Sequence, residues 1–380
     1  MKKKSIFLES EFLFVNYSIL ALTAILSQFY KFRGFGDFQI GVLNAALPVM
    51  SLITNALWFK VIKKFQVKTL IALLSVFSFL TIWGIYFSDS FISELVFVSI
   101  SAFFFMGILP LSELVVIRSI KSKGQDFGKV RLWGTIGFAI VSIITGFLLN
   151  IGYFMLFIVF GGVFLSIFLF NFKIKIQKHD ENINIQKREN GSFRVFVLML
   201  IFGFFLNSVN SFNMVFLPVY IMQNNYPTAV SGIAISLMGL SEIPFLFFSR
   251  RIIRRVGHIN LLFISLFTMS VRILLTPLVG SFLLLIALQL LHGGTFIVMY
   301  FTIQNYIHYN LSEKDTNKGQ MLLWMTLQGF SFFAGSFFGG ILTEKITIAG
   351  SYYLLGFSSL LISAVLLLII IVRKKFLSKT

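Results

Sequence analysis

The chain has no cysteine in its 380 residues. Disulfide bonds, thiolate metal ligands and cysteine nucleophiles are therefore excluded. Histidine is also scarce, and the histidines are too dispersed in the sequence to form a metal-binding cluster: His179, His258, His292 and His308. We therefore expect no metal site and no cofactor. We also expect no enzymatic activity, because a membrane enzyme needs a catalytic constellation that these residues do not supply.

Charged residues make up only 12% of the chain, whereas hydrophobic residues make up 57% and the mean hydropathy is +0.90. A soluble domain needs more polar surface than this composition provides. Apolar stretches of about 20 residues, which is the length that crosses a bilayer as a helix, follow one another from Phe12 to Val372. Stretches such as residues 359–372 are apolar on every face, which excludes the alternating pattern of a β-barrel. The sequence predicts an all-α integral membrane protein.

The apolar stretches predict about twelve transmembrane helices in two groups of six. The only long polar segment, residues 173–194, separates an N-terminal six-helix bundle (1–172) from a C-terminal six-helix bundle (195–380). The predicted spans are residues 11–31, 38–59, 67–88, 92–117, 127–149, 152–172, 195–222, 228–249, 259–279, 283–307, 319–342 and 351–372.

An internal repeat supports this division into halves. A shift of 191 residues places the basic turn at residues 60–65 on the basic turn at residues 251–256. The same shift aligns Gly41 with Gly232, and it aligns further identical pairs: Asn16 with Asn207, Gly128 with Gly319, Leu132 with Leu323 and Trp133 with Trp324. Single identities between apolar segments mean little, but one shift that aligns all of them indicates two parallel six-helix repeats.

The net charge of +18 is unevenly distributed between the loops. The side of the predicted helices that carries Lys31, Arg33 and Lys345 also carries the acids Asp37, Asp89, Glu94 and Glu344. The other side carries the basic clusters at residues 2–4, 60–68, 118–129, 173–194, 250–255, 314–318 and 373–379. This asymmetry is typical of the positive-inside rule, so we expect a cytoplasmic-membrane protein with both termini and the central loop in the cytoplasm. It also explains the basic charge without any binding of nucleic acid.

Ionisable residues inside predicted spans are costly and are usually functional or paired. Glu113 and Arg131 each lie nine residues from the turn near Ser122, so they share a depth of about 13 Å and can face each other. Arg272 and His292 share a depth in the same way, each ten residues from Phe282. The first pair suits a polar or anionic solute. The alternatives are that Arg131 snorkels to the interface while Glu113 pins two helices, and that Arg272 and His292 form a structural tether.

Glu242 lies two residues before Pro244, which removes a helical hydrogen bond and can open the helix to a cavity. Glu242 is therefore a candidate proton carrier, and the alternative is a carboxylate satisfied by a neighbouring hydroxyl or amide. A polar stripe in the seventh predicted helix, formed by Asn207, Asn210 and Asn213, can line an aqueous path or join helices. The runs Gly335-Ser336 and Gly339-Gly340 favour close helix packing.

Three segments resemble the phenylpropionate-permease and lactose-permease branch of the major facilitator superfamily. They are residues 126–134 (DFGKVRLWG), residues 289–293 (QLLHG) followed by Thr295 and Phe296, and residues 242–244 (EIP). The resemblance extends over essentially the whole chain. It implies that Glu113 and Arg131 contact the solute, because they match the sugar-binding Glu and Arg of lactose permeases. It also implies that Arg272 and His292 belong to a proton-coupling cluster.

The chain departs from lactose permeases at several positions. Thr295 replaces a proton-carrying Glu, Gln328 replaces a Lys, and Asn210 and Asn213 replace two acids. Phe138 stands where a sugar-stacking Trp is usual. Galactoside specificity is therefore not implied, although Phe138 and Asn210 remain candidate substrate contacts. Lys63 and Gln66 also replace the Asp and Gly of the superfamily signature between the second and third helices.

These observations predict a secondary active transporter that moves a small polar or organic solute by alternating access. The resemblance implies uptake coupled to protons, with Glu242, His292 and Arg272 as candidates for coupling. The rival within transport is efflux of an amphipathic compound from a Phe-lined cavity. A sensor or scaffold is disfavoured because the longest polar segment has only about 20 residues. We expect the solute, protons and the lipid bilayer as partners, and a monomer suffices for this fold.

Overall fold

The structure is a computed structural model that describes residues 6–121, 127–174 and 191–377. Within these ranges the chain is almost entirely helical and forms no strand. The N-terminal half contains α1 (Phe7–Phe32), α2 (Asp37–Val61), α3 (Val67–Phe87), α4 (Phe91–Phe105), α5 (Ile108–Lys121), α6 (Phe127–Leu148) and α7 (Phe154–Lys173). The C-terminal half contains α8 (Phe193–Gln223), α9 (Ala229–Ser241), α10 (Ile243–Val256), α11 (His258–Leu275), α12 (Phe282–Leu288), α13 (Phe296–Asn310), α14 (Glu313–Trp324) and α15 (Phe332–Leu377).

Eleven helical stretches of the described chain are long and apolar enough to cross a membrane, and the last stretch, Lys318–Val372, has 55 residues. A straight helix of that length would measure about 80 Å, against about 30 Å of hydrocarbon. The backbone leaves the helical region at Ile346 and Thr347, where Thr347 has a φ of 70°. The hydroxyl of Thr347 then accepts a hydrogen bond from the Gly350 backbone N–H (3.2 Å), as an N-cap does. This stretch therefore contains two crossings, which agrees with the predicted total of about twelve.

Four crossings are not continuous α-helices. The fourth is interrupted at Met106 between α4 and α5, and the eighth at Glu242 between α9 and α10. The tenth contains a 3-10 turn at Gln289–Gly294, and the eleventh contains a π-turn at Met325–Ser331. The predicted spans treated these crossings as uninterrupted. Irregular backbone at membrane depth is tolerated where it lines a cavity, and each interruption contributes a residue to the cavity described below.

Because the number of crossings is even, the first and last described residues lie at one end of the bundle, here called the terminal end. At the opposite or far end, the two halves touch through glycines. A Cβ atom on Gly41 would lie 2.6 Å from the Ser336 carbonyl oxygen and 2.8 Å from Gly340, and a Cβ atom on Gly232 would lie 2.2 Å from the Ser142 carbonyl oxygen. The repeat aligns Gly41 with Gly232, so the two close contacts occupy equivalent places in the two halves. The prediction that glycine runs permit close packing is confirmed at Gly340.

Hydrogen bonds add to these glycine contacts. The Thr228 hydroxyl donates to Asn150 Oδ1 (2.6 Å), and the Phe38 backbone N–H at the start of α2 donates to Glu344 Oε2 (3.2 Å). Both bonds join the N-terminal half to the C-terminal half at the far end. We call this set of contacts the far-end seam: Gly41 with Gly340, Gly232 with Gly146, Phe38 with Glu344, and Asn150 with Thr228.

Candidate functional site

A cavity of about 270 Å³ lies between the two halves. The N-terminal half contributes α1, α2, α6 and Met106, and the C-terminal half contributes α8, α9, the 3-10 turn, α13 and the π-turn. The wall is mostly apolar, and its polar groups come from both halves, as expected for a binding site of a small organic molecule. The predicted site residues that line the cavity are Arg131, Phe138, Asn210, Glu242 and His292. Glu113 and Arg272 lie immediately behind two of them.

Glu113 and Arg131 meet as their spacing predicts. Arg131 Nε lies 3.9 Å from Glu113 Oε1, and Arg131 Nη1 donates to the Thr135 hydroxyl (3.2 Å), one helical turn further along α6. Tyr17 of α1 completes this group. Its hydroxyl donates to Glu113 Oε1, and its ring lies 3.8 Å below the Arg131 guanidinium carbon. Stacking on the ring holds the guanidinium in the cavity wall, so Arg131 does not snorkel to the interface.

The second group starts from Arg272, which is fully buried. Arg272 Nε and Nη2 donate to Gln289 Oε1 (3.2 and 2.7 Å), and Nη1 lies 2.9 Å from His292 Nδ1. Because a guanidinium has only donors, His292 Nδ1 must accept this bond. The proton of neutral His292 is then on Nε2, which lies 3.3 Å from Glu242 Oε1. The chain Arg272–His292–Glu242 therefore connects a buried cation to a carboxylate in the cavity wall.

The three asparagines of α8 have different partners. Asn207 Nδ2 donates to the Leu327 carbonyl in the π-turn (2.7 Å), so this side chain supports the backbone next to Gln328. Asn210 lines the cavity, and its Oδ1 is buried without a hydrogen-bond partner among the described residues. Asn213 points away and accepts a hydrogen bond from the Tyr352 hydroxyl (3.0 Å). Of the predicted polar stripe, Asn207 and Asn210 line the cavity, whereas Asn213 joins two helices.

Phe138 packs against the glycine of the facing helix. A Cβ atom on Gly239 would lie 2.8 Å from the Phe138 ring, so the ring closes the cavity wall where the two halves meet. Two tyrosines complete the site. The sequence predicts Tyr17 as part of a polar stripe with Asn16 and Gln28 in the first helix, but it pairs neither tyrosine with Glu113 and Arg131. Tyr17 contacts Glu113 and Arg131, and Tyr300 of α13 lies near both of them in the other half. Tyr17 lies 96 residues from Glu113 in the sequence, so no local pattern pairs them.

A model of the MFS_1 like family matches residues 8–354. The chain belongs to this family. Its members are transporters of the major facilitator superfamily, so the chain is a multi-pass membrane transporter and not an enzyme. The branch resemblance, the all-α fold and the superfamily predicted from the sequence are confirmed.

Curated relatives are distant. The chain is 23% identical over 362 residues to the uncharacterized transporter YwbF of Bacillus subtilis (strain 168), a match that covers 93% of this chain and 90% of YwbF. It is 25% identical over 210 residues to the probable 3-phenylpropionic acid transporter of Escherichia coli (strain K12). This second match covers 54% of this chain and 55% of that transporter.

Solved structures share the fold. The nucleoside transporter NupG superimposes with a TM-score of 0.79 at 17% identity, over 95% of this chain and 98% of NupG. A bacterial homologue of the human lysosomal transporter Spinster, in its inward-facing and occupied conformation, gives a TM-score of 0.64 at 16% identity, over 96% of this chain and 94% of that chain. At these identities the likeness establishes the fold alone.

Proposed function

We propose that the chain takes up a small polar organic solute by alternating access, together with protons. The observation that carries the proposal is the Tyr17–Glu113–Arg131 group in the cavity wall. Its guanidinium is oriented by a ring, a carboxylate and a hydroxyl, so its remaining N–H donors are preorganised for a solute oxygen. Asn210 and Phe138 complete the solute contacts: Asn210 through its side-chain amide and Phe138 through its ring.

The solute that fits this wall carries a ring and an oxygen-rich polar group. Phe138 and Phe296 supply aromatic faces, and Arg131, Asn207, Asn210 and Gln328 supply hydrogen-bonding groups. Two relatives are named for solutes of this description, a nucleoside for NupG and 3-phenylpropionic acid for the Escherichia coli transporter. We propose the same broad class for this chain. Sugars form the comparison class in the test.

For proton coupling we propose the Glu242–His292 pair. A proton on Glu242 removes the negative charge that attracts the His292 Nε2–H, and a proton on His292 Nδ1 removes the acceptor for Arg272. Either event rearranges the group that joins the eighth, ninth and tenth crossings. We also propose that the terminal end faces the cytoplasm, because the basic loops lie there. One chain encloses the whole cavity, so we propose that a monomer transports.

The experiment is transport by purified protein in liposomes, recorded with an internal pH indicator. Nucleosides, aromatic carboxylates and sugars are added in turn, without and with an imposed proton gradient. We expect proton influx that depends on the presence of a nucleoside or of an aromatic carboxylate. The Arg131→Ala variant should lose roughly 10- to 100-fold in rate, because hydrogen bonds to a charged group are lost. The matched control is Arg251→Ala, since Arg251 is an exposed arginine of α10 outside the cavity.

Normal transport by Arg131→Ala contradicts the assignment of the solute site. Loss of transport in both variants points to a general effect of removing positive charge. Proton movement in the opposite direction on addition of solute indicates exchange or efflux instead of uptake.

A further inference from the structure

Three acidic side chains are buried in the described part of the chain: Glu9, Asp37 and Glu94. Glu9 accepts a hydrogen bond from the Ser119 hydroxyl (2.5 Å), and Asp37 pairs with Lys31 (2.8 Å). Glu94 differs from both. It is 0% exposed, and neither of its carboxyl oxygens has a hydrogen-bond partner in the described structure. The protein itself encloses this side chain, and the cavity between the halves does not reach it.

The charged groups around Glu94 are engaged elsewhere. Arg33, at the end of α1, donates to the Ser88 carbonyl and lies 3.5 Å from Asp89, which is almost fully exposed. Arg33 and Tyr30 lie near Glu94, but neither donates a hydrogen bond to its carboxyl oxygens. The ionisable groups on the elements packed around this end of α4 are Tyr30, Lys31 and Arg33 of α1, Asp37 of α2, Tyr86 of α3 and Asp89 in the loop before α4.

A carboxylate anion enclosed without a counter-ion or donor is costly, whereas the neutral acid is tolerated. We propose that Glu94 is a proton-binding site of the N-terminal half, separate from the solute cavity. It holds a proton in the conformation seen here and releases it to water when the far end opens. The anion left on Glu94 then takes Arg33 as its counter-ion, and Arg33 leaves the Ser88 carbonyl.

The connection to far-end opening follows from the chain path. Arg33 begins the short turn that leads into α2, and the Phe38 N–H at the start of α2 is held across the seam by Glu344. Lys31 and Asp37 tie the two sides of this turn together. When the halves separate at the far end, Glu344 withdraws from α2 and the turn that carries Arg33 is released. Proton release from Glu94 and opening of the seam are therefore linked.

The test uses the cysteine-free chain, which allows labels at chosen positions only. Ile151 and Gln223 are exposed on opposite halves near the seam, so Ile151→Cys with Gln223→Cys carries a pair of spin labels. Distances are measured in liposomes between pH 5 and pH 9, without solute. Linkage to one proton changes the ratio of open to closed molecules by up to about tenfold per pH unit, with opening at high pH. The Glu94→Gln variant mimics the protonated acid, so it should stay closed with a flat pH profile.

Two further variants make the outcome decisive. Glu94→Asp keeps a titrating group and should keep a pH response. Glu242→Gln removes the carboxylate of the cavity and should keep the pH response, because Glu94 is unchanged in it. The proposal is overturned if Glu94→Gln keeps the full response of the parent, or if the parent shows none. It rests on the proposed transport function, but this test needs no solute: a Glu94-dependent response in a chain that transports nothing would refute the transport proposal alone.

Discussion

At the far-end seam the helices of the two halves touch through glycine backbones, whereas further along the same helices long polar side chains separate them. On α6, Gly146 meets the backbone of Gly232, and Arg131 lines the cavity. On the eighth crossing, Gly232 forms the seam and Glu242 faces the cavity. Because glycine has no side chain, contacts between glycine backbones can break and re-form without rearrangement of side chains. The seam is therefore suited to relative movement of the two halves, and the cavity is suited to binding of the solute.

The largest expected effect comes from filling the seam. In Gly232→Trp, even the first side-chain atom would lie 2.2 Å from the Ser142 carbonyl, so the seam cannot close. We expect uptake to fall by about 100-fold or more while solute binding survives, because the cavity residues are unchanged. The measurement is uptake together with calorimetric binding of the transported solute.

The control for this substitution is Gly162→Trp in α7. Gly162 is exposed and a Cβ atom there would meet nothing within 4 Å, so uptake should be close to that of the parent. Equal losses in both variants would show that the indole harms insertion and not the seam.

Removing one hydroxyl from the cavity has a smaller expected effect. Tyr17→Phe keeps the ring below Arg131 but removes the hydrogen bond to Glu113. Hydrogen bonds to charged groups are worth about 1.5–3 kcal/mol, so we expect roughly a 10-fold or greater rise in the solute concentration for half-maximal uptake. Tyr153→Phe is the control, because Tyr153 does not line the cavity and its hydroxyl lies 3.9 Å from the Met222 sulfur. An unchanged half-maximal concentration in Tyr17→Phe would contradict the predicted role.

Glu242→Gln separates coupling from binding. The amide keeps the shape of the side chain and still offers an oxygen to His292 Nε2, but it no longer accepts a proton. We expect exchange of labelled solute at equilibrium to continue at a similar rate, while acceleration by a proton gradient disappears. Uptake that still responds fully to the gradient would remove Glu242 from the coupling pathway.

The smallest expected effect is at the rim of the seam. Glu344→Gln removes the negative charge that faces the N-terminus of α2 but keeps an oxygen acceptor for the Phe38 N–H. Interactions of charges with helix termini are worth about 0.3–1 kcal/mol, so the seam should open about two- to fivefold more often. Distance distributions between labels at residues 151 and 223 measure this population. If Glu344→Gln increased the open population more than Gly232→Trp does, the glycine contact would not be the stronger contribution to closing the seam.

The features that could be predicted from the sequence are those that follow from the regular rise of a helix. Helix rise alone placed Glu113 opposite Arg131 and Arg272 opposite His292, because a hairpin fixes the depth of both partners. The central division lies in residues 173–194, of which 175–190 are outside the described residues, and the bundle boundaries remain a prediction. The orientation of the termini also remains a prediction.

Contacts between distant helices were beyond sequence reasoning. Tyr17 reaches Glu113 only because α1 packs against α5 and α6, and Glu242 reaches His292 only because the eighth crossing lies beside the 3-10 turn. Glu94 lies at the far end together with the other acids that the charge pattern placed there, but its burial beneath α2 and α3 could not be predicted from the sequence. The π-turn at Met325–Ser331 also depends on tertiary contacts, including the Asn207 bond to Leu327.

Alternating access requires that the far-end seam and the terminal end of the bundle open in turn. The most direct measurement combines two label pairs: residues 151 and 223 at the far end, and Phe65→Cys with Arg255→Cys at the terminal end, where both residues are exposed. Comparing the parent with Gly232→Trp, we expect the far-end distance to lengthen and the terminal-end distance to shorten in the variant. Lengthening at both ends, or an unchanged terminal end, would contradict alternating access around this cavity.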